Sequence, residues 1–399
     1  MKILIHDYSG HPFQAQLSRE LARRGHDLVH STCAAYVSGK GNLVGDSSGP
    51  RFVTIGDGLA LKKDAYFRRL FQESGLGLEL ARQMRQERPD VAMLANLPIP
   101  VLVVAAAVLR QLRIPWVLWQ QDMTGVALKT LATANVAKSM GIAAKVFTAG
   151  EKWSARRAAA IVVIADSFVR VHDQWDTAVK VTVIPNWAPL DEIVPVARIN
   201  AWSTEQGLNN VRTLVYSGTL GLKHNPLLLV QLAARLRDRG TPVRLVVVNE
   251  GPAVPVLRDA ASAHGIELTL LPFQPYERLP EVLGTGDVLL VVLGTDAGQF
   301  SVPSKTLSYL CAGRPVLGLM PVDNLAARLL RQAGSAVFSP EEASLDAAAA
   351  WVERVLVDPE HAERLGKEGR AVAEREFALE HCASRFEDIL RSVSRPTKH

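Results

Sequence analysis

Residues 288–318 read VLLVVLGTDAGQFSVPSKTLSYLCAGRPVLG, and this order of residue types predicts an α/β fold. An apolar strand, Val288–Leu293, is followed by a glycine-containing loop and by a helix that stops at Gly313. A second apolar strand, Pro315–Leu319, comes next. A strand, a helix and another strand in this order are typical of a βαβ unit, in which the two strands lie parallel in one sheet.

The same alternation of strands and helices runs through the chain twice. The first series begins with the strand Lys2–His6 and a helix closed by Gly25, and the second begins with the strand Thr213–Ser217. Residues 186–210 show no clear periodicity and carry prolines, as linkers do. We therefore predict two α/β domains followed by a terminal helix and tail, over residues 1–190, 191–378 and 379–399.

Composition excludes several classes of protein. Hydrophobic residues make up 48% and charged residues 21% of the 399 residues, which is typical of a globular chain and not of a coiled coil or a disordered protein. The formal charge of +5 is too small for a dedicated nucleic-acid binder, so we expect no nucleic-acid partner.

Targeting and redox features favour a cytoplasmic protein. The longest apolar segment, Pro98–Leu109, is shorter than the ~20 residues that a membrane-spanning helix needs. Polar residues also interrupt the N-terminal apolar run too early for a signal peptide. Cys33, Cys311 and Cys382 are far apart, so we expect a reducing compartment and neither a disulfide framework nor a zinc site.

The start of the helix within residues 288–318 is a candidate anion site. Pro303 and Ser304 suit its first positions, because proline presets φ and serine can cap free amides. Lys305 adds a positive charge in the first turn, where the helix dipole disfavours a cation, so we expect Lys305 to have an anionic partner. The alternative is an ordinary capped helix with a solvated lysine.

A second candidate is the segment SGTLGLKH at residues 217–224, which follows a strand. Gly218 and Gly221 let backbone amides approach a phosphate closely, and Lys223 adds an ammonium group. The segment lacks the closing GK[ST] of a Walker A motif, and a plain turn between a strand and a helix is the alternative.

The loop HDYSGHP at residues 6–12 occupies the matching position in the first domain. It is too short for a GxGxxG dinucleotide motif, so NAD is not expected. Its two histidines and one aspartate could bind a metal ion, but so few ligands are a weak indication.

Gln120, Gln121 and Asp122 close the strand WVLW in the first domain. A carboxylate at the carboxyl end of a strand can orient a substrate hydroxyl or act as a base, which makes Asp122 a candidate catalytic residue. The alternative is that Asp122 caps the following turn.

Residues 59–71, LALKKDAYFRRLF, project as an amphipathic helix. Basic charge beside an aromatic face suits an anionic membrane surface, and an ordinary solvated face over a core stripe is the alternative. The apolar side comprises Leu59, Tyr66, Phe67, Leu70 and Phe71, and the basic residues are Lys62, Arg68 and Arg69.

The order of these motifs resembles the nucleotide-sugar-dependent glycosyltransferases of family 4. Within that family, the chain is most similar to the bacterial exopolysaccharide branch that includes colanic acid glycosyltransferases of the WcaI type. The most specific matching segment is VPSKTLSYLCAGRPVLG at residues 302–318. The others are spread over nearly the whole chain: LARRGHDL at 21–28, EKWSARRAAAIVVIADS at 151–167, VIPNW at 183–187, LVYSGTLGLKHNP at 214–226, VVVNEGPAVPVLRDAA at 246–261 and LPFQPYERLPEVLGTGDVLLV at 271–291.

The resemblance implies the GT-B fold, in which two Rossmann-like, doubly wound parallel-sheet domains face each other across a cleft and the C-terminal helix returns to the N-terminal domain. It implies transfer of a sugar, with retention, from a nucleotide-sugar donor such as a UDP-sugar to a lipid-linked or polysaccharide acceptor. The site of action would be the cytoplasm or the inner face of the membrane, in surface-glycan synthesis. No cofactor is implied, and we expect independence from metal ions. The alternatives are a GT-B nucleotide-sugar epimerase or hydrolase and a non-catalytic nucleotide-sugar-binding protein.

The resemblance also assigns roles to residues already singled out. Lys223 and Lys305 would stabilise the diphosphate leaving group, and together with Asp122 they form the predicted catalytic set. Phe273 and Gln274 would lie near the base through their backbone. The predicted donor-binding residues are Gly10, His11, Ser217, Gly218, Thr219, Lys223, Phe273, Gln274, Val302, Pro303, Ser304, Lys305 and Ser308.

Four positions depart from the family pattern. A glutamate pair, eight positions apart, aligns with Phe300 and Ser308, so its contacts to the donor sugar and ribose do not carry over as carboxylates. A histidine at the catalytic strand end aligns with Gln121, and an arginine of the diphosphate loop aligns with Thr219. A front-face displacement assisted by the leaving phosphate needs no enzyme nucleophile, and it is the mechanism that we expect.

Overall fold

In a computed structural model the chain divides into two compact units. The N-terminal unit comprises Met1–Asn186 and Leu379–His399, and the C-terminal unit comprises Trp187–Ala378. The first division therefore falls after Asn186, whereas the predicted division falls after residue 190. The structure describes residues 1–35, 43, 49–57, 59, 66–123, 138–220, 225–251, 253–295 and 305–394.

The described strands of the N-terminal unit form one parallel sheet with the order β3-β2-β1-β4-β5-β6-β7. The strands are β1 (Lys2–Asp7), β2 (Asp27–Cys33), β3 (Arg51–Ile55), β4 (Val91–Ala95), β5 (Trp116–Gln120), β6 (Ala160–Val163) and β7 (Val181–Val183). The helices are α1 (Pro12–Arg23), α2 (Tyr66–Glu87), α3 (Ile99–Leu112), α4 (Lys138–Ala155) and α5 (Asp166–Gln174). The sequence order reverses beside β1, which makes the sheet doubly wound.

The described strands of the C-terminal unit form a second parallel sheet with the order β10-β9-β8-β11-β12-β13. The strands are β8 (Thr213–Ser217), β9 (Arg244–Val248), β10 (Leu268–Leu271), β11 (Val288–Val292), β12 (Val316–Leu319) and β13 (Ala336–Phe338). The helices are α6 (Ala201–Glu205), α7 (Leu227–Asp238), α8 (Ala253–Ala263), α9 (Leu279–Gly284), α10 (Lys305–Cys311), α11 (Leu325–Gln332), α12 (Leu345–Val357) and α13 (Pro359–Glu376).

Residues 288–318 form the predicted βαβ unit. Strand β11 pairs in parallel with β12, with Leu289 opposite Val316, and α10 lies between them in sequence. Every residue of both strands is buried. Apolar side chains cover each face of the sheet, which is why these strands read as unbroken apolar runs and not as alternating ones.

The last helix, α14 (Leu379–Val393), belongs to the N-terminal unit, as predicted, and it packs against α1. Glu387 accepts hydrogen bonds from Arg24 Nη1 at 3.0 Å and is 2.9 Å from His26 Nε2. The Phe386 ring lies 4.7 Å from the ring of Trp119, at the end of β5. Apolar burial and ion pairing together bring the chain back to its first domain.

Four elements differ from the sequence-based expectation, and one of them is α2, which is observed over Tyr66–Glu87 whereas a helix was predicted over residues 59–71. Strands β3 and β13 were not predicted, because both are partly exposed edge strands: β3 contains polar residues, and β13 has only three residues. Helix α6 lies within the region predicted to be a linker. Its capping box explains it: the Asn200 side chain accepts from the Ser203 N–H at 2.9 Å, and Ser203 Oγ accepts from the Asn200 N–H at 2.9 Å.

Among the described residues, no helix is both long and apolar enough to cross a membrane. The three cysteines are buried, and no disulfide joins them.

Candidate active site

Lys305 begins α10 and reaches the carboxyl end of β8 in the C-terminal unit. Its ammonium nitrogen lies 3.8 Å from the centre of the Tyr216 ring, donates to the Tyr216 hydroxyl, and lies 3.3 Å from the carbonyl oxygen of Thr219. The Tyr216 hydroxyl in turn donates to the same Thr219 carbonyl at 2.9 Å. The structure thus brings together two of the predicted anion sites, the first turn of α10 and the glycine loop after β8.

Gly218 allows this approach. Its φ of +129° is a conformation that side-chain-bearing residues rarely adopt, and a Cβ there would lie 3.3 Å from Lys305 Nζ and 3.4 Å from Lys305 Cε. The glycine therefore leaves room for the ammonium group beside the loop backbone. The Gly218 N–H donates to the Val248 carbonyl at 3.0 Å, which fixes the loop against β9.

Tyr309 holds the end of β8 from the same helix as Lys305. The Tyr309 hydroxyl accepts from the Ser217 N–H at 2.8 Å and donates to the Ser217 carbonyl at 2.9 Å. This buried phenol therefore sets the distance between the first turn of α10 and the loop that starts at Gly218. Sequence reasoning missed Tyr216 and Tyr309, because a tyrosine in an apolar run reads as core.

The environment of Lys305 favours its neutral form. Burial lowers the pKa of Lys305 to about 7, because its partners are a phenol and a carbonyl and not a negative charge. Within the described part of the chain, no carboxylate forms an ion pair with Lys305. An anion that enters this position would favour the ammonium form of Lys305, which has no described carboxylate partner.

The loop after β10 carries the two residues predicted to lie near the base. The Phe273 side chain is 45% exposed, and its N–H donates to Glu250 Oε1 at 3.1 Å. The Gln274 side chain is turned away, since Oε1 accepts from Trp202 Nε1 at 3.0 Å and Nε2 donates to the Pro272 carbonyl at 2.9 Å. Sequence reasoning did not identify Glu250, which lies at the carboxyl end of β9 among these loops.

Most of the other predicted donor residues of the C-terminal unit lie outside the described part of the chain, and Ser308 lies within it. Ser308 is half-buried on α10, three positions after Lys305. Phe300, Lys223, Val302, Pro303 and Ser304 lie outside the described residues.

In the N-terminal unit, Asp7 organises the loop after β1. Its carboxylate accepts from the Ser9 N–H at 3.1 Å and from the His11 N–H at 2.5 Å, while Gly10 between them has a φ of +72°. Burial raises the pKa of Asp7 to about 7, against the opposing effect of the loop N–H groups and of the Asn96 amide. The predicted residues Gly10 and His11 are therefore held by a carboxylate that sequence reasoning treated only as a weak metal ligand.

A row of polar side chains continues from this loop along the carboxyl edge of the sheet. Asn96 Nδ2 lies 3.1 Å from His11 Nδ1 and makes a long hydrogen bond of 3.5 Å to Gln121 Oε1. Gln121 Nε2 then donates to Asn186 Oδ1 at 3.3 Å. We call His11, Asn96, Gln121 and Asn186 the amide row.

Asp122 follows the amide row and is exposed at the end of β5. Gln120 points the other way, into the core, where it donates to Glu151 Oε1 at 2.6 Å and lies 2.9 Å from His172 Nε2. His6 is also turned into the core and lies 2.9 Å from Ser31 Oγ. Across the described residues no three His, Cys, Asp or Glu side chains are grouped so that they could hold a metal ion.

Comparison with known proteins identifies the family. Residues 11–187 match the family model described as a Glycosyl transferase 4-like domain, and residues 199–372 match Glycosyl transferases group 1. A relative assigned to colanic acid biosynthesis as the glycosyl transferase WcaI of Escherichia coli (strain K12) is 26% identical over 280 residues, which cover 69% of this chain and 67% of that protein. The alpha-D-kanosaminyltransferase of Streptomyces kanamyceticus is 24% identical over 189 residues, which cover 47% of each chain.

Solved structures show the same fold. Sucrose-phosphate synthase from Thermosynechococcus elongatus superposes with a TM-score of 0.74 at 16% identity, over 98% of each chain. HepE from Anabaena, solved with UDP-glucose, superposes with a TM-score of 0.73 at 15% identity, over 98% of this chain and 100% of that one. Because both halves match glycosyltransferase family models and both sheets have the expected parallel, doubly wound order, the chain belongs to the family 4-type glycosyltransferases with the GT-B fold.

Proposed function

We propose that this glycosyltransferase takes its sugar from a UDP-sugar and that the C-terminal unit binds the nucleotide diphosphate. The observation that carries this proposal is Lys305, a half-buried ammonium group with no described carboxylate partner, placed beside the glycine loop after β8. Departure of a nucleoside diphosphate builds negative charge, and a preorganised cation stabilises that charge most where water is excluded. The UDP-glucose complex of HepE supports the choice of UDP as the nucleotide.

The N–H groups at the start of α10, together with Lys305 and Lys223, would hold the diphosphate. Lys223 lies outside the described residues, so its place rests on the sequence motif. With positive charge supplied by lysines, we expect turnover in EDTA to match turnover with Mg²⁺ or Mn²⁺. Loss of activity in EDTA, restored by one of these ions, would overturn this expectation.

Retention of anomeric configuration is the expected stereochemistry, with a front-face displacement assisted by the leaving phosphate. The described polar groups beside Lys305 are the Tyr216 hydroxyl and the Thr219 carbonyl oxygen, and no described carboxylate pairs with Lys305. Proton NMR of the first-formed product tests this directly, and an inverted anomer would refute it.

We further propose a lipid-linked or glycan acceptor, in surface-polysaccharide synthesis at the cytoplasmic face of the membrane. The similarity to WcaI supports this role. Exposed apolar side chains on the outer helices of the N-terminal unit support peripheral membrane contact: Phe71 is 78% exposed, Leu78 54% and Val146 65%. Exposed Arg82, one turn beyond Leu78 on α2, adds positive charge for anionic lipid. The predicted basic residues Lys62, Arg68 and Arg69 have no described side chains.

Membrane contact is tested by co-sedimentation with vesicles that contain 30% phosphatidylglycerol, at low and at high salt. Binding that is lost in Phe71→Ser and weakened by salt would support the contact, because salt screens the basic groups. No sedimentation of the wild-type protein at low salt would refute it.

A thermal-shift panel of UDP- and GDP-sugars, followed by product analysis, tests the central proposal. A bound donor raises the melting temperature by mass action, so UDP-sugars should give the largest shift. Product analysis with donor alone and with acceptor then separates a transferase from an epimerase or hydrolase. Absence of any shift with every UDP-sugar would overturn the proposal.

A further inference from the structure

The carboxyl edge of the sheet in the N-terminal unit is polar, and Arg385 of α14 donates to the Val183 carbonyl at its β7 end at 2.7 Å. The described residues that directly follow β1 to β7 at this edge include the carboxylate Asp122 and the amides of Asn96, Gln121 and Asn186, but no lysine or arginine. In open parallel sheets, ligands bind at the carboxyl ends of the strands. The chemistry of this edge therefore restricts what kind of ligand can bind there.

The side chains of the amide row are held in place before any ligand arrives. Asn96 has a φ of +56°, a left-handed conformation uncommon outside glycine, which costs energy and persists where surrounding structure imposes it. Its Nδ2 lies between His11 and Gln121, and Gln121 is fixed in turn by Asn186. Such preorganisation lowers the entropic cost of binding.

The row keeps unused hydrogen-bonding capacity. A primary amide has two N–H donors and two acceptor lone pairs. Within the described residues, Asn96 Oδ1 is buried without a hydrogen-bond partner, and the Asn186 Nδ2 group has no acceptor. The half-buried position of Asn186 leaves its amide within reach of a ligand.

We infer that the amide row binds the hydroxyl groups of an uncharged sugar and so selects a neutral glycosyl acceptor over a phosphorylated or carboxylated one. This inference rests on the proposed transferase function. Hydroxyl groups both donate and accept, as primary amides do, so the two match in either direction. An acceptor phosphate or carboxylate at the same place would lie near the Asp122 carboxylate, whereas the described cation at this edge, Arg385, already binds the Val183 carbonyl at the end of β7.

The inference also orients a lipid-linked acceptor. Its terminal sugar would lie on the amide row, and its phosphate groups would lie away from this edge. The row therefore makes Asn96, Gln121 and Asn186 specificity-determining residues for the acceptor.

Transfer kinetics with paired acceptor probes test this inference. The probes are methyl glucoside and methyl galactoside against the corresponding 6-phosphates and uronic acids, with the UDP-sugar that gives the largest thermal shift. We expect the wild-type enzyme to prefer neutral probes by at least tenfold in kcat/KM. We expect Gln121→Glu and Asn186→Asp, which keep side-chain size, to raise the KM for neutral probes about tenfold while leaving the melting-temperature shift with UDP unchanged.

Gln111→Glu is the matched control, because Gln111 is an exposed amide on α3, away from the row. It should leave acceptor KM unchanged. Asn186→Lys should raise kcat/KM for the acidic probes relative to the neutral ones. Unchanged KM values in both row variants, or a wild-type preference for acidic probes, would overturn the inference while leaving the donor proposal intact.

Saturation-transfer NMR with the same probes gives a readout that does not need turnover. Signals from methyl glucoside that disappear in Asn186→Asp but persist in Gln111→Glu support the inference. Equal signals in all variants refute it. Failure of the proposed function itself would appear differently, as the absence of a UDP-sugar shift in the wild-type protein.

Discussion

The carboxyl edges of the two sheets have the same backbone architecture and opposite side-chain chemistry. In the C-terminal unit, Lys305 places a half-buried ammonium group beside the backbone of the loop at Gly218. In the N-terminal unit, the corresponding edge carries the amide row and the carboxylate Asp122. One fold used twice therefore provides an edge suited to an anion and an edge suited to neutral hydroxyl groups, and the difference lies in a few residues at strand ends.

Replacing Lys305 by methionine should give the largest effect, a loss of kcat. It would also remove the ammonium group that distinguishes the C-terminal edge from the N-terminal one. Removing one preorganised charged donor from a developing anion costs about 10²–10³ in kcat, which corresponds to about 3–4 kcal/mol. Steady-state transfer assays measure this loss. Lys367→Met, at an exposed lysine on α13 that pairs with Glu363, is the matched control and should keep wild-type rates. Wild-type turnover in Lys305→Met would remove the anion assignment of the C-terminal edge.

The second prediction is that lowering the pH destabilises the N-terminal unit more than the C-terminal unit. Burial lowers the pKa of His6 and His30 to about 3 and that of His172 to about 4. The unfolded chain binds protons at these histidines below pH 6.5, so their contribution to stability is lost as pH falls. Asp7 has the opposite effect on stability as pH falls. Its pKa of about 7 lets the folded protein bind a proton at a higher pH than the unfolded chain does, which stabilises the folded state.

Between pH 6 and pH 4, unfolding lets each of the three histidines bind a proton, whereas Asp7 releases one. The net uptake by these four groups is therefore about two protons. Stability should therefore fall by about 2.7 kcal/mol per pH unit, at about 1.4 kcal/mol per proton. Urea unfolding followed by circular dichroism at several pH values measures the slope. His172→Gln should reduce it by about one proton, and a flat profile in the wild-type protein would contradict the prediction.

Gly218→Ala should weaken nucleotide binding to an intermediate degree. A Cβ at this position lies 3.3 Å from Lys305 Nζ, and a φ of +129° is strained for alanine, so we expect a cost of about 1–3 kcal/mol. Isothermal titration with UDP should show about tenfold weaker binding. Gly207→Ala separates the two causes, because Gly207 also has a positive φ but a Cβ there meets nothing within 4 Å. Equal UDP affinity in both variants and the wild type would show that the contact at Gly218 does not matter.

The smallest effect near neutral pH is a pH dependence of UDP affinity. Lys305 has a pKa of about 7 in the free protein, and a bound diphosphate raises it by favouring the ammonium form. Binding therefore takes up a proton, and affinity should fall by up to tenfold per pH unit above pH 7. Titration calorimetry in buffers of different ionisation enthalpy measures this uptake at pH 8. No proton uptake in the wild type, or the same uptake in Lys305→Met, would contradict the assignment.

Sequence reasoning reached the fold because the fold depends on patterns that are local. Apolar runs such as Val288–Val292, stopped by glycine and alternating with helices, predict buried parallel strands wherever they occur. The terminal helix was predicted to begin at residue 379, as observed for Leu379–Val393, since its amphipathic spacing is a property of a single segment. The edge strand Arg51–Ile55 was missed because its partial exposure gives it no such pattern.

The candidate sites were predictable only in part. Glycines and lysines after strands indicate an anion site by their type, so Gly218 and Lys305 could be selected from the sequence. Tyr309 and Asn96 could not, because their roles depend on partners 92 and 25 residues away, Ser217 and Gln121. No local sequence pattern indicates hydrogen bonds between residues this far apart in the chain.

By itself, the sequence determined the two α/β domains, their order, and the residue types at the ends of the strands, because hydrophobic periodicity and turn chemistry act over short distances. Tertiary structure alone decided which of those residues meet. It placed Lys305 against Tyr216 without a described counter-ion, turned Gln274 toward Trp202, and joined Asn96, Gln121 and Asn186 into one row. The physical reason is that parallel strands far apart in sequence end at the same edge of a sheet, where hydrogen bonds and burial then fix charge and orientation.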